Sequence, residues 1–249
     1  MVRPRWAFVF LAINVIIFIA MELVPNGGST NPENLVRFGA NWAPAVAAGE
    51  YWRLLTANFL HIGVLHLAVN SYALYLLGAE VEMLFGHPRF IVIYLLSGIS
   101  GAVLSFMLTQ GLSAGASTSL FGLFGALAIY FYKHREMLGA FGQQRLISLG
   151  MTLLINVLIG LSPGSSIDNF GHLGGFIGGA LLGWFLCPIY RAVNPFEWAF
   201  SASQSHQKIE LFNGEVMDTN SLSKQLLNVA LFMAGLIVLT FVAQMVQRR

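Results

Sequence analysis

Charged side chains and cysteine are both scarce in this chain. Only 10% of its 249 residues are charged, and Cys187 is the single cysteine, which excludes an intrachain disulfide and leaves packing as its expected role. The basic residues are spread along the sequence without a dense patch, which argues against nucleic-acid binding. No residue pattern indicates a metal site or an organic cofactor, so we expect neither.

Hydrophobic residues, in contrast, make up 56% of the chain, and its mean hydropathy is +0.70. An α-helix needs about 20 mainly apolar residues to cross a lipid bilayer. Seven stretches approach that length, and they predict an all-α polytopic membrane protein. The stretches are Trp6–Val24, Asn58–Gly78, Phe90–Thr109, Ala114–Tyr132, Leu146–Leu161, Phe170–Cys187 and Leu226–Gln244.

A long polar segment between the last two stretches indicates the domain organisation. It predicts a six-helix core in residues 1–187, a cytoplasmic linker in residues 188–225, and a seventh transmembrane helix with a short outer tail in residues 226–249. With a cytoplasmic N-terminus, nine of the 13 basic residues lie on the cytoplasmic side, as the positive-inside rule requires. Short termini without a transit-like leader favour a bacterial plasma membrane.

Glycine recurs at helix-packing spacing in two of the stretches. Gly171, Gly175, Gly179 and Gly183 form a stripe in the sixth stretch, and Gly122 with neighbouring small residues gives the fourth a matching surface. Such stripes let helix backbones approach closely. A single stripe is usually a packing surface and no more, but these two are compatible with direct contact between the fourth and sixth helices.

Ser117 and His172 lie near the same end of these two stretches, at matching depth below the outer face. A histidine inside a membrane is costly, so it is by default a hypothesis for a functional site. A serine with a histidine is the minimum equipment for a nucleophile and its base. Ser113 falls in the preceding loop and Ser119 points nearly opposite to Ser117, whereas Phe121 shares the face of Ser117 and is predicted to stack beside the histidine.

The second stretch offers two more polar side chains, His66 and Asn70, four residues apart on one helix face. They are either structural hydrogen-bonding groups or donors to a developing oxyanion, and the residues alone leave both interpretations open. Helical geometry turns His61 away from that face by about 140°. Asp168, four residues before His172, is predicted to cap the sixth helix, which favours a dyad over a triad.

Three other protease chemistries lack their residues. A metal-dependent enzyme would use a His-Glu-x-x-His helix, which this sequence does not contain. An aspartyl enzyme would need two carboxylates at one site, but the only aspartates, Asp168 and Asp218, are predicted on opposite sides of the membrane. A Ser–Lys dyad would need an outer lysine, and all three lysines are predicted inside. A serine–histidine pair remains.

In their order along the chain, these motifs resemble the rhomboid family of intramembrane serine proteases over about residues 50–187. No single motif is specific, and the resemblance rests on their combination. The matching positions are Trp52-Arg53; His61, His66 and Asn70; Glu80, Glu82, Gly86 and Arg89; Gly115-Ala116-Ser117 with Gly122; and Gly171-His172 with Gly175. The resemblance implies a six-helix rhomboid-like bundle with one additional C-terminal transmembrane helix.

The resemblance also implies catalytic roles. Ser117 would attack the scissile carbonyl, and His172 would take and return its proton. His66, Asn70 and the Ser117 backbone N–H would stabilise the oxyanion.

Two further residues, His61 and Arg53, would be structural partners of the outer loop. One position departs from the family, which usually has glycine after the serine, whereas this chain has Thr118. We expect that side chain to crowd the backbone near the oxyanion hole.

The implied partners are transmembrane protein substrates and the lipid bilayer, while the oligomeric state stays unknown. Two alternatives come from other functional classes. A rhomboid-like protein could bind membrane proteins without cutting them, and a fluorophosphonate probe, which labels only an activated serine, would separate the two. A small transporter is the other alternative, and solute flux through liposomes without proteolysis would favour it.

Overall fold

The computed structural model describes residues 2–109, 111–192, 208–211 and 214–247. Helix α1 is followed by a loop that contains three short helices, and apart from α6 the remaining helices are longer. The helices are α1 (Trp6–Glu22), α2 (Pro32–Phe38), α3 (Ala43–Ala47), α4 (Arg53–Thr56), α5 (Gly63–Ala73), α6 (Ala79–Phe85), α7 (His87–Leu108), α8 (Ser117–Lys133), α9 (Arg135–Gly160), α10 (Asn169–Leu186) and α11 (Leu226–Gln247). A π-helical turn at Leu74–Gly78 joins α5 to α6.

These helices confirm the predicted class, a helical multi-pass membrane protein. Within the described residues, three helical segments are long and apolar enough to cross a bilayer, Gly63–Phe85, His87–Leu108 and Leu222–Gln247, and α1 is a shorter apolar helix. Helices α8 and α10 have 17 and 18 residues, with glycine and polar side chains among the apolar ones. Each of the seven predicted stretches overlaps one of these helices or segments.

Helices α7, α8 and α10 form the centre of the bundle. The glycine stripe of α10 lies directly against the backbone of α8. A Cβ at Gly183 would lie 2.8 Å from the Cα of Ala126, and a Cβ at Gly179 would overlap the backbone of Gly122. Because no side chains separate the two backbones, the first turns of α8 and α10 are held side by side.

The second predicted stretch differs from the structure at its start. Helix α5 begins at Gly63 rather than Asn58, because a 3₁₀ turn at Ala57–Phe59 and a stretch of extended backbone come first. Gly63 has a φ of +74°, a left-handed conformation that glycine adopts without strain. His61 therefore lies outside the helix, and the helical geometry used to orient it does not apply.

The same stretch also continues beyond its predicted end, as far as Phe85, because acidic side chains there are paired inside the protein. Glu82 is fully buried, and its carboxylate accepts hydrogen bonds of 2.9–3.0 Å from the backbone N–H groups of residues 5–7, which caps the start of α1. Glu80 forms an ion pair with Arg145 of α9.

Part of the predicted linker folds into a three-stranded antiparallel sheet, which the sequence analysis missed. Its strands are β1 (Tyr190–Ala192), β2 (Lys208–Leu211) and β3 (Gly214–Asp218), in the order β1-β3-β2. Asp218 forms a buried ion pair of 2.7 Å with Arg89 of α7, which attaches this segment to the bundle. Linker residues 193–207 and 212–213 and the predicted tail residues 248–249 lie outside the described residues.

Candidate active site

The structure brings Ser117 and His172 into direct contact. Ser117 is the first residue of α8, and His172 lies in the first turn of α10. The distance from Ser117 Oγ to His172 Nε2 is 2.8 Å, a normal hydrogen-bond length. A neutral imidazole that accepts a proton at Nε2 carries its own proton at Nδ1. The pair is therefore arranged for transfer of the hydroxyl proton to His172.

Two contacts hold His172 in this position. Its imidazole stacks on the ring of Phe121, with centroids 4.1 Å apart and planes 13° apart. At the start of α10, Asp168 Oδ1 accepts hydrogen bonds from the backbone N–H of Gly171 at 2.9 Å and from Thr109 Oγ1 at 2.8 Å. The prediction that Asp168 caps this helix is confirmed, and the cap also ties α10 to the end of α7.

The competing serines lie elsewhere. Ser113 forms an antiparallel bridge with Asn41, with two backbone hydrogen bonds of 2.9 Å. Ser119 is fully buried, and its hydroxyl has no hydrogen-bond partner among the described residues. Ser117 is thus the serine of this region that the structure pairs with a histidine.

His66 lies next to the backbone that precedes Ser117. A Cβ at Gly115 would lie 2.9 Å from His66 Nε2 and 3.5 Å from Ser117 Oγ, so only a residue without a side chain lets the imidazole lie this close to the backbone. Its φ of +147° also favours glycine. The Ile62 backbone N–H donates to His66 Nδ1 at 3.3 Å. A neutral His66 therefore carries its proton at Nε2, the nitrogen that lies against Gly115.

Asn70 is buried on the same helix as His66. Its Nδ2 donates a hydrogen bond of 2.9 Å to the backbone oxygen of His66, and its Oδ1 has no partner among the described residues. The amide has two N–H groups, and this bond uses only one of them. The structure shows no hydrogen bond from either His66 or Asn70 to Ser117 Oγ, so their role at the site stays a prediction.

The segment before α5 is attached to the backbone that leads into Ser117. Ala57 O accepts a hydrogen bond of 2.9 Å from the Gly115 N–H, and His61 Nε2 accepts one of 3.4 Å from the Ala116 N–H. His61 is fully buried, and its ring meets that of His66 edge-on at 5.3 Å. His61 thus contacts the nucleophile-bearing segment itself.

Arg53 holds together the loop between α1 and α5. Its guanidinium is buried and donates to the backbone oxygens of Val36 at 2.6 Å and Ala40 at 3.2 Å, and it forms an ion pair of 2.8 Å with Glu50. The same group lies 4.6 Å from the centroid of the Trp52 ring. These contacts fix the end of α2 relative to α4.

We expected the Thr118 side chain to crowd the backbone near the oxyanion hole, but the structure places it between helices instead. Its side chain is buried against α7 and α10, and its hydroxyl is hydrogen-bonded to Asn58 Oδ1. Asn58 was predicted only as the first residue of a span, so this contact was not expected. A polar amide three residues before His61 was the one available signal.

In the described part of the chain, no group of three or more His, Cys, Asp or Glu side chains is placed to hold a metal ion. The site instead offers a hydroxyl, a nitrogen base beside it, and an adjacent imidazole with a free N–H. That set is suited to nucleophilic acyl transfer.

Comparison with known proteins identifies the family. The rhomboid-domain family model matches residues 48–189. The chain is 43% identical over 180 residues to rhomboid protease GluP of Bacillus subtilis (strain 168), covering 71% of this chain and 34% of that protein. It is 34% identical over 173 residues to rhomboid-like protease 3 of Toxoplasma gondii, covering 68% and 64%, and 37% identical over 162 residues to RHOMBOID-like protein 7 of Arabidopsis thaliana, covering 63% and 48%.

The chain spans between about one third and two thirds of the length of these relatives. The family model covers more than half of its residues, including both Ser117 and His172. On this match, the chain belongs to the rhomboid family.

Proposed function

We propose that this chain is a serine endopeptidase that cleaves the transmembrane segments of other membrane proteins. Ser117 is the nucleophile, and His172 is the general base and acid. The observation that carries the proposal is the 2.8 Å distance between Ser117 Oγ and His172 Nε2. Membership of a family with protease-named relatives supports it.

The reaction proceeds through an acyl-enzyme. Ser117 Oγ attacks the scissile carbonyl carbon while its proton passes to His172 Nε2. The tetrahedral intermediate then breaks the C–N bond, and His172 gives the proton to the departing amine. A water molecule then gives a proton to the same histidine and attacks the ester carbon. The bond from that carbon to Ser117 Oγ breaks, which releases the new carboxyl group, and His172 returns the proton to Oγ.

The oxyanion of the intermediate is stabilised by His66 Nε2–H, the second N–H of Asn70 and the backbone N–H of Ser117. The Ile62 N–H on His66 Nδ1 supports this role for His66, since it leaves the other ring nitrogen as the donor. Gly115 supports it as well, since the missing side chain lets the His66 ring lie against the backbone that leads to Ser117. Removal of one such donor typically lowers kcat by about 10²–10³-fold.

The substrate is a membrane-spanning segment that unwinds locally to expose an extended backbone. Glycine and proline weaken a helix by about 1 and 3 kcal/mol, so segments that contain them open most easily. The active site faces the outer side of a bacterial plasma membrane, and the N-terminus is cytoplasmic. The distribution of basic residues and the bacterial relative support this orientation and location.

The test is cleavage of a panel of single-span model substrates by the purified protein in liposomes. Ser117→Ala and His172→Ala are each expected to abolish cleavage while the protein stays folded. Ser119→Ala is the matched control, because it removes a hydroxyl two residues away that has no partner in the described part of the chain. Full activity in Ser117→Ala would refute the proposal.

The same preparation separates the alternative functions. Binding of the substrates without cleavage, and without fluorophosphonate labelling of Ser117, would identify a non-cleaving binding protein. Solute flux through the liposomes in the absence of proteolysis would instead identify a transporter.

A further inference from the structure

Thr118, the residue that follows the nucleophile, has a defined place in the structure. We propose that Thr118 is a positioning residue, which holds Ser117 against His172 through its hydrogen bond to Asn58. This inference rests on the proposed function of Ser117. The Thr118 side chain is only 5% exposed, and it lies on the side of α8 that faces α7 and α10.

The orientation of the Asn58 amide determines which group donates in this bond. Asn58 Nδ2 donates to the backbone oxygens of Leu54 at 2.9 Å and Leu55 at 3.2 Å. Carbonyl oxygens only accept, so the amide nitrogen must face them and Oδ1 must face Thr118. The Thr118 hydroxyl is therefore the donor, a role that a side chain of the same shape without a hydroxyl cannot fill.

Asn58 belongs to the same segment that holds the residues before Ser117. Gly115 and Ala116 donate to Ala57 and His61, while Thr118 donates to Asn58. Residues 57–61 thus bind the chain on both sides of Ser117. None of these bonds uses the Ser117 hydroxyl, which stays with His172. Thr118 supplies the attachment on the helical side.

The methyl group of Thr118 has its own complementary space. A Cβ at Gly101 of α7 would lie 2.8 Å from Thr118 Cβ, and a Cβ at Gly171 of α10 would lie 3.1 Å from Thr118 Cγ2. Glycine at both positions therefore makes room for a β-branched side chain. With the methyl group packed against these two glycines, the hydroxyl faces Asn58.

Two substitutions separate the hydroxyl from the methyl group. Thr118→Val keeps the shape and removes the donor, whereas Thr118→Ser keeps the donor and removes the methyl group. In Thr118→Val we expect kcat and the rate of fluorophosphonate labelling of Ser117 to fall about tenfold, because small misplacements of a nucleophile are costly. KM should change less than about twofold, and Thr118→Ser should keep most of the activity, because substrate contacts and the donor are retained.

A double-mutant cycle with Asn58→Leu checks that Thr118 acts through Asn58. Adding Thr118→Val to Asn58→Leu should lower kcat little further, because the bond is already lost. Wild-type labelling by folded Thr118→Val would overturn the proposal. So would a loss of about tenfold or more in folded Thr118→Ser, a result that is informative even if the valine variant fails to fold. If the wild-type protein neither cleaves substrates nor is labelled, the proposed function fails instead. The same double-mutant cycle, measured by thermal unfolding, then still tests the Thr118–Asn58 bond.

Discussion

The imidazole of His172 lies nearly parallel to the ring of Phe121, with centroids 4.1 Å apart. Phe121 is one helical turn after Ser117 on α8, so a single helix presents both the hydroxyl and the surface on which the imidazole rests. Rotation of His172 away from Ser117 would break this stacking. The ring of Phe121 therefore favours the orientation in which Nε2 faces the hydroxyl.

Phe121→Leu should lower kcat, because it removes this surface while keeping an apolar side chain. Aromatic stacking contributes about 0.5–1.5 kcal/mol, so we expect a loss of about 2–10-fold with little change in KM. Initial rates on a model substrate measure both quantities. The control is Phe124→Leu. It removes the other aromatic ring that contacts Phe121, with centroids 6.0 Å apart. Equal losses in kcat for the two variants would argue against an orienting role.

Gly179→Ala should destabilise the fold, because the new Cβ would overlap the backbone of Gly122 and no side-chain rotation can relieve the clash. Overpacking of this kind costs about 1–3 kcal/mol, occasionally more. We expect a lower thermal midpoint in detergent and weaker labelling of Ser117, since α8 and α10 would move apart.

Gly235→Ala is the matched control in α11, where a Cβ would meet no atom within 4 Å. Alanine is the better helix former by about 1 kcal/mol, so this variant should be neutral or slightly more stable. Identical thermal midpoints for Gly179→Ala and Gly235→Ala would contradict the proposed close packing of the two helices.

The helical bundle was predictable because its signals are local. Apolar stretches of helical length mark the spans, and the glycines of α10 are spaced so that they fall on one face. The depth of Ser117 and His172 in their stretches follows from counting residues at 1.5 Å per residue. None of these inferences requires knowledge of a distant partner.

The parts that the sequence analysis missed depend on contacts between distant segments. Glu82 lies between two of the predicted stretches in the sequence, although its carboxylate is buried at the start of α1. Asn58 meets Thr118, which lies 60 residues further along the chain. The start of α5 was misplaced because apolar character continues through residues 58–62, while the backbone there is not α-helical.

The buried ion pair between Arg89 and Asp218 leads to a third prediction. Asp218→Asn would leave the Arg89 guanidinium buried without a counter-charge, and breaking a buried pair in this way typically costs about 3–5 kcal/mol. We expect a marked loss of thermal stability. The double variant Arg89→Met with Asp218→Asn should recover part of it, because no unpaired charge remains. A double variant that loses more stability than the two single variants lose together would contradict this account.

The last prediction concerns α11 and the loop between α1 and α5. Gln244 is only 7% exposed, and its amide binds the loop at two points: Oε1 accepts from the Tyr51 hydroxyl at 2.7 Å, and Nε2 donates to Ala47 O at 2.7 Å. Gln244→Leu removes both bonds, and a typical hydrogen bond contributes about 0.5–1.5 kcal/mol to stability. We expect faster amide hydrogen exchange in residues 43–53.

Gln247→Leu serves as the control for this variant, since Gln247 is exposed and its amide makes only longer contacts, 3.3 and 3.4 Å, to backbone oxygens at the end of α7. It should leave exchange in the loop unchanged. Because Arg53 lies within that loop and its bonds set the end of α2, loosening by Gln244→Leu should extend to residues 36–40 as well. Exchange that stays at the wild-type rate in both regions would mean that α11 packs beside the loop without stabilising it.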